Sequence, residues 1–183
     1  MVNLMLGDCL ELLPTLEDNS VDLLLVDLPY GTTACAWDSI IPLDKLWEQY
    51  NRVCKENAAM VFTAAQPFTT VLAASNIKNF KYEWIWEKNK ATGHLNAKKM
   101  PMKAHENILV FYDKLPLYNP QKTSGHTKKE STKRKEVSNR CELYGQNTKD
   151  VSYSSTDRYP RDVLKYPSDK QKLSIHSTQK PLD

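Results

Sequence analysis

An α/β sheet is the fold class this sequence predicts, and three observations predict it. Residues 21–26 are a nearly continuous run of branched and leucine side chains that ends at Asp27-Leu28-Pro29-Tyr30, the pattern of a buried parallel strand feeding a loop. Strand-like and helix-like segments then alternate as far as residue 112, as the layers of an α/β domain require. The composition agrees: 183 residues, 40% hydrophobic and 26% charged, with 5 glycines, suit a globular chain with a sizeable core and exclude collagen-like and disordered classes.

In chain order, residues 4–6 are a short apolar run, and Gly7-Asp8-Cys9 turns into a brief helical pattern at Leu10, Leu12, Leu13 and Leu16. Asp18-Asn19-Ser20 closes it as a turn. Residues 21–26 read as a parallel strand covered on both faces. Leu46, Trp47, Tyr50, Val53 and Cys54 fall at helical spacing, and residues 58–65 read as the next buried strand. Pro67 opens another helix with Phe68, Val71 and Leu72 inward. Phe80, Tyr82, Trp84 and Trp86 alternate with Lys81, Glu83, Ile85 and Glu87, the period of a strand with one aromatic face, expected to serve the core. Residues 107–112 form a further strand. This order places ligand chemistry at strand carboxyl ends. From 114 to 175 no period of 2 or 3.6 persists, so a polar, loop-rich and partly disordered insert is expected. Residues 176–183 read as a helix entry cut short, with Pro181 in its first turn.

No apolar run approaches the roughly 20 residues of a spanning helix, and the amino terminus lacks the features of a secretory signal. A cytoplasmic protein without membrane partners is expected. Cys9, Cys35, Cys54 and Cys141 match neither metal knuckles nor a disulfide framework and are read as reduced thiols. The four histidines have no partners at ligand spacing, so no metal is expected.

The net charge of +3 conceals a polarity. Residues 1–77 hold three basic against ten acidic side chains, residues 78–121 eight against four, and residues 122–183 fourteen against eight. A basic carboxyl-terminal half suits phosphates, whose condensed counterions are released on neutralisation; a solvated basic surface is the other reading. Lys128, Lys129, Lys133, Arg134 and Lys135 form the densest run. Lys88 and Lys90, just past the aromatic strand, either reach phosphate or face water.

Asp27-Leu28-Pro29-Tyr30 sets a carboxylate, a rigid backbone and an aromatic ring at a strand's mouth. An amino group on a nucleobase is a poor nucleophile because its lone pair is delocalised into the ring. Acceptors from Asp27 and the Leu28 carbonyl would hold its two hydrogens and localise that lone pair for attack on a methyl group. The base must leave its stack first, and Tyr30 offers a replacement surface. Taken alone, the same four residues also fit a simple turn with Tyr30 packed as an ordinary aromatic.

They are not alone. The chain resembles, over nearly its whole length, the amino-methylating DNA methyltransferases of the permuted β type. Gly7-Asp8-Cys9-Leu10 resembles that family's segment contacting the adenine of S-adenosylmethionine. Residues 27–31 with Trp37-Asp38 resemble its catalytic segment, and His105-Glu106-Asn107-Ile108-Leu109-Val110-Phe111 the strand leading to target recognition. His176-Ser177-Thr178-Gln179-Lys180-Pro181 resembles the segment whose helix walls the cofactor pocket. The resemblance implies an incomplete Rossmann-like methyltransferase sheet with helices on both faces, with a catalytic part at 1–113, a target-recognition insert at 114–175, and a cofactor-wall helix beginning at 176–183. It implies Asp27, Leu28, Pro29 and Tyr30 as catalytic residues, Asp8, Cys9, Asp27, His176, Thr178, Lys180 and Pro181 at the S-adenosylmethionine site, and double-stranded DNA as partner.

Two departures are visible. Leucine stands at 28 where the family usually has proline, which removes one fixed φ. The glycine-rich Gly-x-Gly loop that packs against the methionine end of the cofactor is missing, since the glycines stand at 7, 31, 93, 125 and 145. The expected function is methylation of an exocyclic amino group in DNA, adenine-N6 because the motif opens with Asp, by a truncated chain of little or no activity unless a complementary carboxyl-terminal segment completes it; a homo-oligomer is the other partner expected. The alternatives are cytosine-N4 methylation and a non-enzymatic DNA-binding remnant.

Overall fold

The computed structural model describes residues 2–132 and 152–167. Its strands are β1 (Val21–Asp27), β2 (Cys54–Ala64), β3 (Phe80–Thr92), β4 (Lys103–Phe111), β5 (Lys129–Thr132), β6 (Ser152–Ser155) and β7 (Val163–Lys165), and its α-helices are α1 (Cys9–Leu12), α2 (Leu43–Val53) and α3 (Phe68–Ser75). The chain divides into two units, residues 1–117 with 162–183, and residues 118–161.

The first unit is built on a mixed sheet of order β1-β2-β4-β3-β7. β1 runs parallel to β2, β4 is antiparallel to both β2 and β3, and β7 is parallel to β3. Leu46, Trp47, Tyr50 and Val53 make one buried stripe on α2, the spacing of an amphipathic helix. Trp47 is the hub: its ring centroid lies 5.3 Å from Phe62 and 4.9 Å from Phe111, and its indole N–H donates to Ser75 Oγ at 2.8 Å. Burial of each large apolar side chain in this cluster contributes about 1.5–3 kcal/mol. Arg52, in the last turn of α2, donates to the Leu16 carbonyl at 2.9 Å and the Leu13 carbonyl at 2.8 Å and pairs with Asp18. It thereby ties the amino-terminal helical segment to α2.

Three elements depart from expectation. Val71 is exposed, and the inward positions of α3 are Phe68, Thr69 and Leu72. The 3.6-residue period turns Val71 away once Phe68 and Leu72 define the face, and Thr69 is accepted inside because its hydroxyl bonds Asn107 Oδ1 at 3.1 Å. On β1, Leu24 and Val26 pack toward the core, but Leu23 is 59% and Leu25 72% exposed, so the described residues cover one face of this strand rather than two. A continuous apolar run records that both faces are apolar, not that both are covered. The polar stretch past residue 113 also contains strand: β7 joins the main sheet by pairing Ile85, Trp86 and Glu87 of β3.

The second unit holds the antiparallel pair β5 and β6, and Thr123 and Arg158 exchange backbone hydrogen bonds at 3.0 and 2.8 Å. Lys122 Nζ lies 4.4 Å from the centre of the Tyr159 ring.

Candidate functional site

The carboxyl end of β1 delivers Asp27 to the surface, opposite Thr63 on β2. Both the Tyr30 hydroxyl, at 2.9 Å, and the Thr63 hydroxyl donate to Asp27 Oδ1. The Tyr30 ring stacks on Phe68 with centroids 5.5 Å apart and planes 19° from parallel. Burial pushes the Tyr30 phenol well above its ordinary range, with the Thr63 hydroxyl opposing and the Asp27 charge reinforcing the shift, so the phenol stays protonated and remains a donor. Phe68 is fixed through its helix, because Thr69 bonds Asn107, whose Nδ2 donates to Glu83 Oε2 at 2.8 Å. A polar chain across α3, β4 and β3 therefore sets the floor beneath Tyr30.

Leu28 is 7% exposed and belongs to the core cluster. Where proline would restrict φ, leucine anchors the loop by burying its side chain. Past Tyr30 the chain reverses at Gly31, whose φ of +65° favours glycine and whose added Cβ would meet Ile40 Cγ1 at 3.0 Å. The buried Asp38 carboxylate then gathers three successive backbone N–H groups: Gly31 on Oδ1 at 2.8 Å, and Thr32 and Thr33 on Oδ2 at 2.9 and 2.7 Å. Hydrogen bonding from the Thr33 hydroxyl and these amides lowers its pKa to about 2 against the opposing effect of burial. The loop is thus held by a charge-assisted clamp.

Asp8 is the N-cap of α1, with Oδ1 accepting from the Leu10 N–H at 2.8 Å. Cys9 is half-buried beside it, its thiol pushed up by burial and then by the Asp8 charge. Lys88 is engaged in an ion pair with Glu106 in which both side chains are mostly buried, and its Nζ lies 4.8 Å from the Trp86 ring centre. Lys90 is exposed. Lys128 pairs with Glu130 at 2.5 Å, and Lys129 lies on β5. Lys133, Arg134, Lys135, His176, Thr178, Lys180 and Pro181 lie outside the described residues. The structure thus brings together Asp27 and Tyr30 and adds Thr63, to which sequence reasoning assigned no role, Phe68, read there only as an inward helix position, and Asp38, read there only as part of the segment resembling the catalytic one. Thr63 carried no local signal, because its place is fixed by strand register. Among the described residues no group of three or more His, Cys, Asp or Glu is arranged to hold a metal, and no helix is long and apolar enough to cross a membrane. A cleft of about 350 Å³ opens at the other end of β2, lined by Cys54, Lys78 and Asp113 among others, away from Asp27.

No family model and no curated protein matches this chain. Solved structures do. The PvuII DNA methyltransferase, described as cytosine-N4-specific, aligns over 92% of this chain and 58% of its own length at 12% identity with a TM-score of 0.54. The fold is one shared with a DNA methyltransferase. M1.HpyAVI in its complex with SAM aligns over 66% of this chain and 60% of its own at 20% identity and a TM-score of 0.48. TTHA0409 of Thermus thermophilus, described as a DNA modification methylase, aligns over 63% and 54% at 20% identity and a TM-score of 0.47. The chain spans 54 to 60% of the length of these three proteins.

Proposed function

We propose that this chain is the catalytic part of an S-adenosylmethionine-dependent DNA methyltransferase acting on the 6-amino group of adenine. The observation that carries the reading is the Asp27 carboxylate, exposed at the carboxyl end of a strand paired in parallel, with the Tyr30 and Thr63 hydroxyls on one oxygen. In this reading Asp27 and the Leu28 carbonyl take the two amino hydrogens, and the extruded base stacks on Tyr30, whose ring Phe68 supports. As the nitrogen forms its new bond to carbon it becomes cationic, and the proton it sheds leaves by way of Asp27. Lys90, Lys128, Lys129, Lys133, Arg134 and Lys135 would meet the DNA backbone, whereas Lys88 is better placed to brace Glu106.

S-adenosylmethionine, when bound, would supply a methyl group on a positively charged sulfur, which would keep the electron pair of the broken carbon–sulfur bond and leave as a neutral thioether. The residues present fit one end of it. Asp8 and the Cys9 backbone would hold its adenine, and His176, Thr178, Lys180 and Pro181 would wall the pocket, but no Gly-x-Gly exists in the sequence to approach the methionine end. Catalysis on this reading requires a complementary segment that brings such a loop. The outer edge of β1 has no partner strand among the described residues, and Leu23 and Leu25 stand exposed beside it, with Val2, Leu4 and Leu6 exposed nearby in sequence. An added strand would cover such an edge and face.

Calorimetric titration of S-adenosylmethionine into the purified chain, alongside a tritiated-methyl transfer assay on DNA, tests the proposal. Weak binding and little labelling are expected from the chain alone, with both restored by a Gly-x-Gly-bearing segment. Micromolar affinity with robust labelling by the chain alone would contradict the need for a complement, and a completed form that never labels DNA would contradict the enzyme reading.

A further inference from the structure

β3 and β4 form a hairpin that outgrows the sheet. Asp27 on β1 stands level with Thr63 on β2, Ile108 on β4 and Trp84 on β3. β3 runs in the same direction as β1 and continues eight residues past that level to Thr92, which pairs with Lys103. β4 covers the same height with five residues, Ile108 to Lys103, because β3 is bulged between Glu87 and Thr92, so at about 3.3 Å per residue the hairpin overhangs the Asp27 end of the sheet by about 17 Å. Its tip is ordered by its own backbone. Gly93 adopts a left-handed φ of 89°, a 3₁₀ turn spans His94–Asn96, and the Lys99 and Met100 N–H groups both return to the Asn96 carbonyl, at 2.8 and 3.0 Å.

The tip's chemistry is unusual for a solvated turn. From residue 88 to 105 there are five lysines and no carboxylate. Lys88 is consumed by Glu106, but Lys90, Lys98 and Lys99 are exposed, and among the described residues no carboxylate lies within ion-pair range of them. Between these cations two apolar side chains point away from any core, Leu95 at 87% and Met100 at 58% exposure. Solvation alone explains the lysines and leaves an exposed leucine and methionine at a rigid tip unexplained. A polyanion with apolar gaps in its stack explains both.

We propose that the 93–102 tip is a wedge for duplex DNA: Lys90, Lys98 and Lys99 hold phosphates on either side while Leu95, flanked by Met100, enters the base stack where a nucleotide has been drawn out. The inference rests on the methyltransferase reading, because the wedge holds open the gap left by the base that Asp27 receives. Insertion of an apolar side chain costs unstacking of a base step. DNA that already contains a gap escapes that cost.

Fluorescence anisotropy of the purified chain with two short labelled duplexes, one intact and one with a central abasic site, tests this without cofactor or knowledge of a recognition sequence. The chain is expected to bind the abasic duplex about tenfold more tightly than the intact one. Leu95→Ala with Met100→Ala should abolish that preference while leaving affinity for the intact duplex and its salt dependence unchanged. Lys90→Ala, Lys98→Ala and Lys99→Ala together should weaken binding to both duplexes equally and flatten the salt dependence by about 0.9 per lysine in log–log slope. All five side chains are exposed, so the variants keep the fold. If DNA binding persists but the abasic preference is absent, or survives the Leu95 and Met100 changes, the wedge is overturned and the methyltransferase reading stands. If neither duplex is bound at low salt, the DNA reading itself falls with it.

Discussion

Replacing Thr63 by valine removes one hydroxyl from the Asp27 carboxylate and changes little else, because the two side chains have nearly the same shape and valine suits a strand. Thr63 shares Oδ1 with the Tyr30 hydroxyl, so the change removes one of the donors that fix the orientation of the carboxylate. A hydrogen bond to an ionised group contributes about 1.5–3 kcal/mol, and the half-exposed setting of Thr63 favours the lower end. At about 1.36 kcal/mol per factor of ten, loss of about 1.5 kcal/mol of orientation corresponds to a fall of about tenfold in rate. The assay is methyl transfer to DNA by the completed form, with kcat and KM for DNA determined separately. Thr63 acts through Asp27, so kcat should fall while KM for DNA holds, and Thr63→Ser should recover most of the loss. A valine variant within twofold of the parent in kcat, or a serine variant no better than valine, would refute the positioning role.

Other outcomes follow from the same geometry. Leu28→Ala empties a nearly enclosed site in the core cluster and should lower unfolding stability in urea by about 2–3 kcal/mol, the low end for buried leucine; a change below about 1 kcal/mol would mean the loop is anchored elsewhere. The Asp38 pKa lies below its unfolded value, so its clamp contributes fully above about pH 4 and is lost as pH falls toward 2. Hydrogen exchange should show the Gly31, Thr32 and Thr33 amides protected near neutrality, with protection weakened in the Asp38→Asn variant, which keeps one acceptor oxygen and turns an NH2 donor toward at least one of the N–H groups. Leu25→Lys changes an exposed side chain and should leave the chain's own stability within about 0.5 kcal/mol while blocking restoration of activity by a complementary segment, as a mixing assay would show.

The carboxyl end of β1 was legible because an apolar run that stops at Asp27 and Pro29 announces both a strand and its exit. The helical face of α2 was equally plain, since Leu46, Trp47, Tyr50 and Val53 need only the 3.6-residue period. What could not be read depends on register and on distant partners. Thr63 meets Asp27 only because residue 27 pairs with residue 63 across two strands. Asp38 was visible beside Trp37, but its hold on three amides depends on how the intervening loop folds back. β7 is three residues in a polar stretch, held by β3 rather than by any pattern of its own. Lys88 looked like a surface cation until Glu106, eighteen residues later, was found beside it.

The most direct test of the account is the identity of the methylated nucleoside. DNA treated with the completed form and labelled S-adenosylmethionine, digested and resolved by mass spectrometry, should contain N6-methyldeoxyadenosine, and Asp27→Ala should abolish it while the variant still binds DNA. Methylated deoxyadenosine formed at undiminished rate by the Asp27→Ala variant would contradict the account.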